Sequence, residues 1–177
     1  MSSVIADASR YQAAESLRDG RRLIVRAFAP EDAAGLGAAV DRTSAQTLYR
    51  RFFTVKRRFS ERETNFFFNV DFVDHVALVA EVDEAGKPII VGAGRYVVVA
   101  PGRAEVAFMV IDAYQGQGIG KALLRHLIGI ARAAGLRELI AEVLPENRPM
   151  LKVFETSGLR VSTKRDTEVV HVTLALT

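Results

Sequence analysis

The sequence predicts an α/β fold (α+β in some schemes) built on one mixed sheet, and three observations predict it. Strand-like segments alternate with helix-like ones, while a hairpin signal in the middle and a paired stretch at the end require antiparallel neighbours. A strand, a glycine-rich turn and an amphipathic helix follow one another between Val106 and Ala134. The chain has 177 residues, 49% of them hydrophobic, enough for one core. Such a core buries roughly 70% of the chain's surface.

Residues 1–20 read as a polar N-terminal arm, loose or partly helical, and 21–177 as a single domain. Arg22 to Phe28 alternates as a strand. Pro30-Glu31-Asp32 opens a helix, with proline and two acids where fixed φ and the helix dipole favour them. Thr43 or Ser44 caps the next helix, and Ser60 with Glu63 forms a capping box for another. His75 to Val82 and Pro88 to Val99 are strands joined by a loop over residues 83–87. Pro101-Gly102 turns the chain into the strand starting at Ala104.

After the glycine turn, Ile119, Leu123, Leu127, Ile130 and Ala134 line one helix face, and Gly135 stops it. A strand from Glu138 to Leu144 ends at Pro145. Asn147 caps the last helix, which tolerates Pro149 in its first turn and ends at Gly158. Val161 to Ser162 and Val169 to Leu176 complete the sheet, the last pair antiparallel.

Composition excludes several chemistries. There is no cysteine, hence no disulfide, thiolate metal site or cysteine nucleophile. His75, His126 and His171 lack metal-ligand spacing and read as structural or exposed. No apolar run approaches the roughly 20 residues of a membrane span, and the polar, alanine-rich start lacks a signal-peptide core, which argues for the cytoplasm. Net charge is +3, so any positive field is local. It gathers at Arg50, Arg51, Lys56, Arg57, Arg58 and Arg62, among eight of the 14 aromatic residues. Single-stranded nucleic acid could stack there. The better reading packs Phe52, Phe53, Phe59 and Phe66 to Phe68 on the sheet and leaves the arginines solvated or paired with acids.

The run from Tyr114 to Lys121 carries the functional signal. Glycines permit positive φ and close approach of a ligand, and the free N–H groups of a helix start favour an anion such as a diphosphate. A dinucleotide fingerprint fails, because Lys121 stands where the third glycine belongs. A P-loop fails at Gln115 and at Ala122, which replaces the magnesium-binding hydroxyl.

Gln115-Gly116-Gln117-Gly118-Ile119-Gly120 resembles the Q/R-x-x-G-x-G/A signature of the GNAT superfamily of acyl-CoA-dependent N-acyltransferases. The acidic strand Ala104-Glu105-Val106-Ala107-Phe108-Met109-Val110 before it, and the segment from Asn147 to Leu159 after it, strengthen the resemblance, which spans about residues 22–175. Leu48 to Phe53, Asn69 to Asp71 and His75 to Glu81 further resemble the acetyltransferase domains of the bacterial protein-lysine acetyltransferases of the Pat group. Members of that group acetylate AMP-forming acyl-CoA synthetases.

The resemblance implies a mostly antiparallel sheet flanked by helices, with a strand pair splayed through a bulge at the acyl-CoA site. It implies acetyl-CoA as co-substrate, no metal, and a protein lysine or small amine as acceptor; relatives often dimerise. The diphosphate would meet N–H groups of Gln117 to Lys121, with Gln115 reaching a phosphate or fixing the loop. Lys121 would add a charge or stay solvated. The pantetheine arm would pair with Phe108, Met109 and Val110, with an N–H near Val110 receiving the carbonyl oxygen. Asn147 would bond the arm, cap its helix, or both.

A lysine amine is protonated at neutrality, so a base must take its proton. The resemblance points to Glu105, with Glu142 as runner-up. Glu105 is expected to be shielded by its Phe and Val neighbours, against the alternative of a surface-facing glutamate. Phe154 stands where many relatives have a tyrosine that protonates the thiolate, which puts a two-residue acid–base scheme in doubt. Tyr114 is the nearest phenol, though it also reads as a packing residue. A catalytically idle acyl-CoA sensor is the third reading of the chain.

Overall fold

The apolar run after His75 folds back on itself as β3 (His75–Glu84) and β4 (Lys87–Ala100). Ala85 and Gly86 both adopt positive φ, 53° and 83°, which makes the two-residue turn that suits twisted strands. The hairpin is therefore tighter than the expected loop over residues 83–87. The structure is a computed structural model in which residues 7–52 and 59–177 are described. Phe53, Lys56, Arg57 and Arg58 of the basic aromatic segment lie outside the described residues.

Around this hairpin stand β1 (Gln12–Ser16), β2 (Arg22–Ala27), β5 (Arg103–Val110), β6 (Glu138–Val143), β7 (Arg160–Arg165) and β8 (Val170–Ala175). Among the described residues they form one eight-stranded sheet in the order β1-β2-β3-β4-β5-β6-β8-β7. Every neighbouring pair is antiparallel except β5 with β6. The arm expected over residues 1–20 is thus, from Gln12 onward, an edge strand paired to β2. Its alternation of exposed and half-buried residues carries little hydrophobic signal, which is why it reads as polar coil.

One face of the sheet is covered by α4 (Ile119–Ala133) and α5 (Arg148–Glu155). Leu123, Leu124, Leu127 and Ile130 of α4 are buried on it, as the 3.6-residue period requires. Asn147 caps α5 by accepting from the Met150 N–H at 3.4 Å. The other face carries α1 (Ala33–Asp41), α2 (Ala45–Phe52) and α3 (Glu61–Phe68). Ser60 and Glu63 form the expected capping box of α3. A 3₁₀ turn, Pro30–Asp32, precedes α1 where the sequence suggested one helix. Arg26 on β2 grips Asp32 with two hydrogen bonds of 2.8 Å and Glu81 with a third of 2.9 Å, which fixes α1 to the sheet.

β5 and β6 are bonded only where they begin. Arg103, Ala104 and Glu105 pair with Glu138, Leu139 and Ile140, and beyond that point the strands part. The expected splay is present, but no bulge makes it. The register shifts fall between Ala80 and Glu81 in the β3–β4 pair and between Val98 and Ala100 in the β4–β5 pair. A parallel pair has no hairpin to hold its far ends together, and the turn into α4 leads β5 away. Among the described residues no helix is long and apolar enough to cross a membrane.

Candidate active site

Where β5 and β6 part, a cleft of about 380 Å³ opens between them. Its walls are β5 from Val106 to Val110, the turn and first residues of α4, the end of β6, and α5. Main-chain alternation shows which groups face it. The Ile111 N–H donates to the Val91 carbonyl at 2.9 Å, toward β4. Alternate residues of a strand point their amides in opposite directions, so the N–H groups of Phe108 and Val110 are turned into the opening. Side chains alternate too. Val106 and Phe108 lie on the α4 face, where Phe108 meets Phe154 with ring centres 5.6 Å apart.

At the mouth of the cleft the turn takes the shape a bound anion requires. Gly116 and Gly118 have φ of 79° and 93°, and Gly118 starts α4 with no side-chain cap on the helix amides. The first-turn N–H groups are left for a ligand, with the positive end of the helix dipole behind them. Added Cβ atoms at Gly116 or Gly118 would meet nothing within 4 Å, so open space lies over the turn. Arg18, Arg50, Lys121 and Lys152 border the same cleft. The Arg50 Nε is buried without a hydrogen-bond partner. A cleft with free amides at one end and cations around it fits the diphosphate and arm of acetyl-CoA.

Most of the residues predicted for the cofactor border this cleft: Phe108, Met109, Val110, Gln115, Gly116, Gly118, Ile119, Gly120, Lys121 and Asn147. Gln117 does not. Its carbonyl accepts from the Arg18 N–H at 3.4 Å, and its side-chain oxygen is buried without a partner. The Gln115 amide donates to the Val110 carbonyl at 3.0 Å and to Thr47 Oγ1 at 3.2 Å, which ties the turn to β5 and α2.

Glu105 sits at the apex of the opening but borders neither wall of the cleft. The apolar shielding expected for it is absent, and the side chain is exposed. The reason is strand alternation. Val106 and Phe108 belong to the opposite face, while Glu105 shares its face with Ala107 and Met109. Glu142 borders the cleft from β6 and lies 3.6 Å from the His171 ring. Phe154 is buried and offers no proton. The Tyr114 hydroxyl donates to Glu84 at 2.6 Å and accepts from Arg21 at 3.2 Å. The hydrogen bond to Glu84, and then burial, push its pKa up.

Sequence reasoning missed two groups. Arg51 was expected to be solvated or paired, yet it is half-buried beside the Phe52 ring with no ion-pair partner among the described residues, and burial pushes it down to about 10. Arg95 escaped notice altogether. Burial likewise brings it to about 10, with the charge of Arg51 adding to the effect. The available signal was a single charge inside the otherwise apolar stretch from Ile89 to Val99.

Comparison with known proteins agrees with this arrangement. Residues 42–159 match the Acetyltransferase (GNAT) family. Acetyltransferase PA5475 of Pseudomonas aeruginosa is 32% identical over 160 residues, covering 89% of this chain and 86% of that protein. Acetyltransferase Pat of Mycolicibacterium smegmatis is 38% identical over 117 residues, covering 65% of this chain but only 34% of that longer protein. The crystal structure of the GNAT domain of S. lividans PAT superposes with a TM-score of 0.82 at 36% identity, covering 93% of this chain and 96% of that one. The splayed pair, the open glycine turn and these matches lead to one conclusion: the chain belongs to the GNAT acetyltransferase family and is an acetyl-CoA-dependent N-acetyltransferase.

Proposed function

We propose that the acceptor is the side-chain amine of a protein lysine, and that Glu105 takes its proton. The observation that carries this is the apex of the β5–β6 opening. With the diphosphate on the turn at residues 116–121, an arm running back along β5 brings its acyl end toward Glu105. Acetyl-CoA, when bound there, supplies the activated acetyl group. The N–H groups of Phe108 and Val110 donate to the carbonyl oxygen as it gains charge. Glu105, exposed on the side from which an amine arrives, accepts the ammonium proton. The sequence resemblance to the Pat group of protein-lysine acetyltransferases, together with the likeness to the GNAT domain of S. lividans PAT, supports a lysine acceptor. Leaving-group protonation falls to water, since Phe154 cannot donate and a thiol with a pKa near 8.5 departs readily.

A second reading has a specific observation in its favour. Glu142 borders the cleft directly, so it competes for the role of base. Kinetics of Glu105→Gln and Glu142→Gln with acetyl-CoA separate the two. Glu105→Gln is expected to lower kcat/KM by about 10²- to 10⁴-fold and to keep its affinity for acetyl-CoA. Equal rates for this variant and the parent between about pH 6 and 9 would refute the assignment. Acetyl-CoA added to a cell lysate, followed by mass spectrometry, is expected to reveal acetylated lysines. Acetylation of free amines alone would reject the protein acceptor.

A further inference from the structure

On the face opposite α4, a second cavity of about 290 Å³ lies between the sheet and the helices α1, α2 and α3. Ala93, Arg95, Ala107 and Met109 form its floor, and Phe52, Phe59, Phe67 and Phe68 close much of its roof. Arg51, Ala107 and Met109 border both this cavity and the acyl-CoA cleft. The two spaces therefore meet across β5, beside the guanidinium of Arg51.

Two cations face this apolar space, and neither has an ion pair among the described residues; the one carboxylate whose charge acts on them is Glu105, which reaches Arg51 only through space. Arg95 Nη1 donates to the Phe67 carbonyl at 3.1 Å and to His75 Nε2 at 2.9 Å, both neutral acceptors. The guanidinium also lies 4.8 Å from the centre of the Phe67 ring. Arg51 stacks 4.6 Å from the Phe52 ring centre and has no hydrogen bond or ion pair among the described residues. Asp41 borders the cavity but is exposed and pairs with neither arginine. Residues 1–6 and 53–58 contain no Asp or Glu, so no carboxylate comes from them.

Buried charges are ordinarily paired, and two like charges near each other in an apolar space raise each other's cost. Burial already pushes both guanidiniums down to about 10, with the charge of Glu105 pulling Arg51 the other way. Cation–π contacts offset part of this, but they leave most of the planar donor forks unfilled. A carboxylate fits such forks bidentately.

We propose that Arg51 and Arg95 bind a carboxylate carried by the acceptor itself, so that the enzyme selects amines accompanied by an acid group. The proposal rests on the acetyl-transfer reading above and adds the acceptor's chemical class. Neutral His75, accepting from Arg95, holds that guanidinium over the cavity floor. The acid comes either from a free amino acid or from an acidic side chain beside a lysine, and the two sources share this chemistry.

Two acceptors with the same ε-amine test it: Nα-acetyl-lysine, with its free carboxylate, and the corresponding carboxamide. With acetyl-CoA as donor, the acid is expected to have a kcat/KM higher by about tenfold or more. Arg95→Gln should bring that ratio toward one, and Arg95→Lys should keep part of it. If Arg95→Gln does not fold, Arg51→Gln supplies the same ratio test. Calorimetry of both compounds on the protein, with and without CoA, reads the preference without turnover.

A pair of peptides with Asp or Asn before the lysine identifies the source. Discrimination in the peptides alone assigns the anion to a neighbouring side chain. Equal rates and equal affinities within both pairs would overturn the proposal and leave acetyl transfer standing. Failure to bind acetyl-CoA would instead overturn the preceding reading, and the calorimetric comparison of acid with amide decides this one even then.

Discussion

Gly118 holds the backbone at φ 93°, where an L side chain crowds its own carbonyl. Alanine there costs about 1–2 kcal/mol from conformation alone, because an added Cβ would touch nothing within 4 Å. Relaxing the turn would also swing the first amides of α4 off the diphosphate. Gly118→Ala is therefore expected to lower stability by about 1 kcal/mol and to weaken acetyl-CoA binding by roughly tenfold. Gly129, in the interior of the same helix and also facing open space, is the control. Alanine there should raise stability by roughly 0.5–1 kcal/mol and leave binding alone. Thermal melts and calorimetry check both, and unaltered affinity in Gly118→Ala would remove the turn from the binding account.

At the scale of the element, α2 shows how the two halves of the site are kept in step. Its eight residues are too few to be stable unaided. Asp112, just after β5, accepts from the Ser44 N–H and hydroxyl at 2.8 Å each and from the Thr47 hydroxyl at 3.1 Å. Burial would push the Asp112 pKa up, but these hydrogen bonds hold it below its ordinary value. Gln115 adds its bond to Thr47. The start of α2 is thus tied to the glycine turn, and its end delivers Arg50 to the cleft and Arg51 to the junction of the two cavities. Asp112→Ala should cost about 1–3 kcal/mol by leaving those donors short of an acceptor. It should raise the acceptor's KM more than it lowers kcat. Steady-state kinetics at saturating acetyl-CoA would show this, and unchanged KM with unchanged stability would contradict it.

For the whole molecule, stability should depend on pH through His75. Burial lowers its pKa, the nearby Arg95 charge lowers it further, and the Asn69 carbonyl and Asp71 act in the other direction. It stacks on Phe66 from α3, with ring centres 5.2 Å apart. A folded pKa below the unfolded value means that the unfolded chain binds the extra proton first. The stability this group contributes is present above the unfolded value near 6.5 and is lost as pH falls below it. Carboxylates held low by partners, such as Asp32, lose their share only further down, below 3.8. Asp32 is subject to burial, which raises it, and more than offset by the Arg26 hydrogen bonds, the Ala29 N–H and the Arg26 charge. The melting temperature is expected to fall between about pH 7.5 and 5.5, and His75→Gln should flatten that slope. A parent protein with a level profile over this range would show that His75 does not govern it.

Much of this was legible from local rules. The caps at Ser60 and Asn147, the stop at Gly135 and the amphipathic face of α4 depend on neighbours within a few residues, which a sequence displays directly. The strand–turn–helix that opens the anion site is equally local. The edge strand β1 was not legible, because its partner lies across a turn and its own pattern is nearly polar. Nor was the environment of Glu105: Val106 stands next to it in sequence and on the other side of the sheet in space.

By itself, the sequence determined the family's turn, the elements around it and the cofactor those amides suit, since each follows from hydrogen bonds and φ angles within a short span. Only the tertiary structure decided that β5 and β6 part after Glu105, and that Arg51 and Arg95, 44 positions apart, face one cavity with no ion pair to either among the described residues. The physical reason is that splay, burial and uncompensated charge belong to pairs of distant segments, and no single segment carries them.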